Sequence, residues 1–184
     1  MGSADRPLVL TIGHSNHDLE TFVGLLRGAG ASLVVDVRSA PVSRWCPHFN
    51  GRNLAPALAA VGLSYVYLGA ALGGRPKAPA LMIEGKPDYG AMARRPAFAS
   101  AVDQVLELAA AATPALMCAE RAPTDCHRAR LVAPALVARG AHVRHILADG
   151  TLENHDAIQP HLSGTPLPLF DDAPGGAVPL RRRR

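Results

Sequence analysis

The sequence predicts an α/β fold, a mainly parallel sheet of about five strands flanked by helices in a three-layer architecture. Two observations predict it. Short apolar, β-branched runs alternate with segments whose apolar residues recur at helical spacing. Polar clusters also follow three of those runs, at the strand carboxyl ends that line the ligand cleft of a parallel sheet.

The elements follow in order. Leu8–Ile12 is a strand that stops at Gly13-His14-Ser15. Asn16 or Asp18 caps a helix whose stripe is Leu19, Phe22, Val23, Leu25 and Leu26, ended by Gly28 and Gly30. Ser32–Val37 is a second buried strand, followed by an irregular stretch from Pro41 that holds Trp45 and Phe49. A helix from Asn53 or Leu54 to Val61 is closed by Gly62, and Ser64–Leu68 is the third strand. Gly69–Gly90, rich in Gly, Pro and Lys, reads as a long loop of the kind used for lids or binding segments. Phe98–Ala112 is a helix striped by Val102, Val105, Leu106 and Leu108, and Ala115–Cys118 is the fourth strand. Cys126–Arg139 is a helix in which Pro134 introduces a kink or an early stop. His142–Leu147 is the fifth strand, Asp149-Gly150 a turn, and Leu152–His155 a short helical segment.

Residues 1–162 therefore form a single α/β domain, and residues 163–184 a Pro/Gly-rich basic tail expected to be disordered. Hydrophobic residues make up 48% of the chain against 18% charged, the balance of a soluble globular protein. The formal charge of +4 is matched by Arg181–Arg184, so the body of the chain is neutral and carries no basic signature of its own. The 3 cysteines make no CxxC pair and no disulfide framework. No apolar run approaches the roughly 20 residues that a membrane span needs. The expected setting is the reducing cytoplasm.

Chemistry concentrates in Ala115–Arg130, where an apolar strand runs into Cys118-Ala119-Glu120, a turn-prone link, and a helix opening on Cys126-His127-Arg128. A helix N-terminus favours anions and lowers the pKa of a thiol placed there. Cys126 is thus a candidate nucleophile, or else a small residue packing the helix start. Glu120 is a general base, or pairs with Arg38, Arg44 or Arg128 to hold the loop. Arg128 is a candidate anion clamp. Asp36 and Arg38, two apart at a strand end, point to one side. Arg38 and Arg44 form a phosphate-sized pocket, or one of them pairs with Asp36. His14 and Ser15 offer an imidazole for acid/base work and a hydroxyl donor, or a loop anchor and a helix cap. The candidate catalytic groups are Cys126, Glu120 and His14. The candidate substrate-binding groups are Ser15, Asp36, Arg38, Ser43, Arg44, Cys118, His127 and Arg128. Cys118, Cys126, His127, His14 and Asp36 are the groups that could converge on a metal. No pair has the close spacing of structural zinc, so no metal or other cofactor is expected.

These clusters carry a family resemblance. Thr11-Ile12-Gly13-His14-Ser15, Asp36-Val37-Arg38-Ser39-Ala40-Pro41 with Ser43-Arg44, and Phe49 contribute to it. So do Tyr67-Leu68-Gly69, Leu72-Gly73-Gly74 and Cys118-Ala119-Glu120 with Pro123 and Cys126-His127-Arg128. His145-Ile146-Leu147, Gly150 and His155 extend it, so that it covers Leu8 to His155. Through them the chain resembles the bacterial domain-of-unknown-function 488 family, which implies a common site but no particular reaction. The architecture is Rossmann-like and similar to rhodanese-like folds, which carry an Asp-x-Arg after a strand and a catalytic Cys before a helix. Cys118 here is not followed by their Gly-rich cradle. In the tail, Leu167-Pro168-Leu169-Phe170 is similar to peptides that dock on the bacterial sliding clamp, with Pro166 where those have Gln.

The leading expectation is a hydrolase or group transferase acting on an anionic, nucleotide-like or nucleic-acid-derived substrate. No GxGxxG fingerprint points to dinucleotide redox chemistry. Two other readings are a binding module recruited to DNA processing through its tail, and a thiol-based redox or sulfur-transfer protein using Cys118 and Cys126.

Overall fold

A computed structural model of the chain describes residues 6–162. Its centre is the strand β1 (Leu8–Gly13), which leads through an Asp18-capped turn into α1 (Leu19–Gly28). Asp18, not Asn16, supplies the cap, accepting from the Thr21 amide at 2.7 Å. Then come β2 (Leu33–Asp36), a 3-10 turn at Pro47–Phe49, α2 (Gly51–Ala60) and β3 (Ser64–Tyr67).

The segment read as a long loop is more ordered than expected. It holds the single-turn helix α3 (Gly69–Leu72), the two-residue strands β4 (Met82–Ile83) and β5 (Lys86–Pro87), and α4 (Tyr89–Ala93). Short apolar stretches between its glycines and prolines allow this, since Leu72 and Met92 are buried in the core. The chain continues through α5 (Pro96–Ala109) and β6 (Pro114–Cys118).

The helix expected over Cys126–Arg139 is split into a π-helical segment at Arg128–Val132 and α6 (Ala133–Val137), with Pro134 in the first turn of α6. The helical run is continuous, with the Ala133 amide bonded to the Arg128 carbonyl, and Pro134, which has no amide to give, falls where the register passes from π to α. Next is β7 (His142–Ile146). Leu152–Asn154, expected to be helical, is instead the strand β8, and α7 (His155–Ile158) begins only after it. The Asp149-Gly150 turn reverses the chain and lets β8 add to the sheet edge.

The main sheet has 6 strands in the order β3-β2-β6-β1-β7-β8, parallel except for the antiparallel β8. Period-2 alternation sends Leu10, Ile12, Val34, Ala115 and Met117 to one face, against Phe22 and Leu26 of α1, Phe49, and Leu54 and Leu58 of α2. Val9, Val35, Val37, Leu116 and Cys118 go to the other, against Val102 and Val105 of α5 and Leu131 and Leu136 around α6. The result is a three-layer α/β architecture. The crossovers from β1 to β2 and from β6 to β7 leave β1 and leave β6 in different directions, so the carboxyl ends of β1, β2 and β6 open a shared switch point. No helix among the described residues is long and apolar enough to cross a membrane. The clamp-like peptide and Arg181–Arg184 lie outside the described residues.

Candidate functional site

The strand ends carry two clusters, one on each face of the sheet. On the α1/α2 face, Arg38 lies along Asp36, with Nε 2.9 Å from Oδ1 and Nη2 2.6 Å from Oδ2. Its Nη2 also donates to the Phe49 carbonyl at 2.7 Å, and its Nη1 approaches His14 Nε2 at 3.2 Å. The Tyr65 hydroxyl donates to Asp36 Oδ2 at 2.8 Å. Burial, with the Asp36 charge beside it, raises the phenol, so Tyr65 remains a donor.

His14 is wedged between these groups and the Phe49 ring, with which it stacks at 4.4 Å. A guanidinium only donates and a carbonyl only accepts, so Nε2 accepts from Arg38 while Nδ1 carries the proton and donates to the Ser15 carbonyl at 2.9 Å. Burial, opposed by that carbonyl bond and reinforced by Arg38, lowers the imidazole to about 4. His14 is therefore a neutral structural bracket for Arg38, with both nitrogens committed. The internal salt bridge is the reading realised for Asp36 and Arg38; they do not form a phosphate pocket with Arg44, which is exposed. Ser43 is spent on its own turn, its Oγ accepting from the Cys46 amide at 3.0 Å. Ser15 sits half-buried at the rim with φ 47°, its hydroxyl directed to Asn16 rather than to a helix cap.

On the α5/α6 face, four other predicted residues converge. Glu120 Oε2 is 2.6 Å from Cys118 Sγ and 3.2 Å from Cys126 Sγ. His127 Nδ1 is 3.6 Å from Cys118 Sγ and 3.7 Å from Cys126 Sγ. One ligating atom from each of the four residues lies within 4.8 Å of all the others. Of the groups that could converge on a metal, Cys118, Cys126 and His127 meet here and Glu120 joins them, because the 3-10 turn at Pro123–Asp125 folds Cys126 back onto the end of β6, whereas His14 and Asp36 lie with Arg38.

His127 Nε2 lies 3.0 Å from the Val37 carbonyl, which fixes the proton on Nε2 and turns the Nδ1 lone pair toward the sulfurs. The Arg128 amide donates to Cys126 Sγ at 3.4 Å. Arg128 itself is fully buried, and its guanidinium grips the Glu120 and Arg121 carbonyls at 2.7 and 3.1 Å. It braces the loop from within and is not placed as an anion clamp.

The two thiols are pushed apart electrostatically. The hydrogen bond with Cys126, then burial and the Glu120 charge, raise Cys118. Burial opposes ionisation of Cys126, but the hydrogen bond with Cys118 and the Arg128 charge outweigh it and lower that thiol below its ordinary range. Burial also opposes ionisation of Glu120, yet its bonds from both thiols hold the carboxyl below its ordinary range.

Glycines shape the approach of these segments. A Cβ on Gly13 would collide with the Glu120 carbonyl oxygen, and one on Gly74 with the His127 ring. Gly13→Ala is expected to cost roughly 1–3 kcal/mol, because the obstruction is backbone held by Arg128 and cannot swing aside. A thermal melt checks this; an unchanged melting temperature would contradict the close approach.

Access is uneven. Cys118, Cys126 and His127 are buried, whereas the Glu120 side chain is 33% exposed and its Oε1 faces Arg75 Nη2 at 3.9 Å. Glu120 also lines an open cleft of about 600 Å³, with Arg121, Ala122, Pro123, Asp125, Leu147 and Ala148. Two exposed cations not singled out from the sequence stand here, Arg121 in the cleft wall and Arg75 beside Glu120. Their signal in the sequence is only adjacency: Arg75 follows Gly73-Gly74, and Arg121 follows Glu120.

Comparison with family models matches residues 18–134 to one described as "Domain of unknown function DUF488". No curated protein and no solved structure matches the chain.

Proposed function

Since this chain belongs to the family Domain of unknown function DUF488, and its four-residue cluster opens on a cleft through one carboxylate, we propose that it is a hydrolase or group transferase for a small anionic substrate. The observation that carries this reading is the double placement of Glu120. One oxygen belongs to the buried cluster and the side chain is exposed to a cleft large enough for a small molecule.

Glu120 is the general base in this scheme. Its carboxylate takes a proton from water or a substrate hydroxyl, that oxygen bonds to the acyl or phosphoryl centre, and the bond to the leaving group breaks. Arg121 in the cleft wall and Arg75 beside Glu120 attract the anion. Arg38 and Arg128 act on the substrate only by holding the frame.

The test is turnover of a panel of phosphate and carboxylate esters. Glu120→Gln is expected to lose about 10²–10⁴-fold in kcat. Arg121→Ala should raise KM with kcat retained. Full turnover by Glu120→Gln, or no turnover by the wild-type protein anywhere in the panel, would overturn the reading.

A further inference from the structure

We propose that Cys118, Glu120, Cys126 and His127 form a binding site for a thiophilic divalent cation, zinc foremost, with both Sγ atoms, His127 Nδ1 and Glu120 Oε2 as the four ligands. Three independent features of the geometry point there.

The first is spacing. Zinc bound tetrahedrally at about 2.3 Å to sulfur and about 2.0 Å to nitrogen or oxygen sets ligand atoms roughly 3.5 Å apart. The distances from His127 Nδ1 to the two sulfurs are 3.6 and 3.7 Å, and Cys126 Sγ lies 3.2 Å from Glu120 Oε2. Of these four distances the Cys118–Glu120 approach, at 2.6 Å, must open, and Glu120 has the solvent-facing side on which to move.

The second is the histidine tautomer. A ligating imidazole characteristically donates its remote N–H to a carbonyl or carboxylate, which fixes the ring and keeps the other nitrogen free to coordinate. His127 Nε2 does this with the Val37 carbonyl, and the Gly74 backbone packs against the ring.

The third is that, among the described residues, no arginine or lysine side chain is hydrogen-bonded to either sulfur or to Glu120 Oε2. The guanidinium that could neutralise the cluster, that of Arg128, is turned away to two backbone carbonyls. Arg75 approaches only the outer oxygen of Glu120, at 3.9 Å. Two sulfurs and a carboxylate oxygen thus share one point, with no side-chain cation between them among the described residues.

Two soft sulfurs and an imidazole select zinc over magnesium or calcium. Both sulfurs bind as thiolates, and any thiol proton displaced by the cation goes to solvent. Three ligands are buried, and Glu120 holds the position on the cleft side. The site rests on the proposed function only in that last respect, since it places the cation beside the substrate.

Cobalt(II) titration of the reduced, chelator-treated full chain tests this without reference to activity. One equivalent should produce thiolate-to-cobalt charge-transfer absorption with tetrahedral d–d bands, and zinc should abolish both by displacement. Cys126→Ser should weaken zinc binding by more than about 100-fold, the upper end of what loss of a mere supporting contact costs. Glu120→Gln should keep the charge-transfer band and alter the d–d bands, and Cys46→Ser should change nothing. The wild-type spectrum alone is decisive if a serine variant fails to fold. No cobalt absorption with both thiols titrating as reduced, or an unchanged band in a folded Cys126→Ser, would overturn the site. If cobalt fails to bind while Glu120→Gln still loses turnover, the metal proposal falls and the enzyme reading stands. If cobalt binds and Glu120→Gln turns over normally, the reverse holds.

Discussion

Arg38→Met is expected to lower stability by about 3–5 kcal/mol, because it leaves the Asp36 carboxylate buried without its counter-charge. Asp36 is fully buried and the Arg38 side chain is 6% exposed, so neither charge can recover solvation by a small movement. The loss extends beyond the ion pair. The Phe49 carbonyl and His14 Nε2 each lose their donor, and the 3-10 turn that seats Phe49 loosens. For a chain of this size the melting temperature should fall on the order of 10 °C. Replacing both partners, Asp36→Leu with Arg38→Met, should cost less than the two single losses added, since the uncompensated charge disappears. A melting temperature of Arg38→Met within a degree or two of wild type would remove the structural role given to this pair and reopen Arg38 as a ligand-binding cation.

Acidification is expected to destabilise the protein from about pH 6.5 downward, so that the loss begins before carboxylates titrate. His14 is lowered to about 4 by burial, with Arg38 pushing the same way and the Ser15 carbonyl, Asp36 and Glu120 opposing. His145 is lowered to about 3 by burial, then by His155 and Arg128. It is fully buried, hydrogen-bonded to Thr11 Oγ1 at 2.7 Å and to His155 at 3.1 Å.

Both groups are bases held neutral by the fold. Above the ordinary histidine pKa of about 6.5 neither folded nor unfolded chain is protonated there, and stability is at its full value. Between about 6.5 and the folded values of about 4 and about 3, only the unfolded chain takes up protons, so stability falls as pH falls. Near pH 4.5 the loss is about 2–3 kcal/mol for each histidine. Roughly 5 kcal/mol together is comparable with the whole stability of many domains. Urea unfolding followed by circular dichroism at pH 7 and pH 4.5 measures the difference. His145→Gln, if folded, should halve the pH dependence. An unfolding free energy equal at the two pH values would show that these imidazoles are not held neutral.

Parity along the strands explains why some of the site was legible in the sequence and the rest was not. Asp36 and Arg38 share a side because they are two apart on an extended segment, and the structure joins them. The same alternation places Val37 and Cys118 on the opposite face, where the cluster of Cys118, Glu120, Cys126 and His127 forms. Polar groups collected at the same ends of three strands therefore belong to two clusters separated by the thickness of the sheet. A phosphate-sized pocket of Arg38 with Arg44 and an anion clamp at Arg128 each need a guanidinium facing the cleft, whereas Arg38 and Arg128 are buried and committed to internal acceptors. The direction in which a long guanidinium turns depends on which carbonyls lie within reach, and local spacing does not encode that.

Alternating apolar runs and helical stripes, glycine stops and the strand-end position of the chemistry were determined by the sequence alone, because each depends on residues within one or two turns of one another. Membership of the family was determined by ordered motifs of the same local kind. Tertiary structure decided the sixth strand at Leu152–Asn154, which pairs with β7 although its residues carry no strong strand signal. It also decided the convergence of four metal-competent atoms from residues up to nine apart, through a 3-10 turn and the Arg128 brace. Contacts of that kind are made by segments that the chain brings together only when the sheet closes over its core.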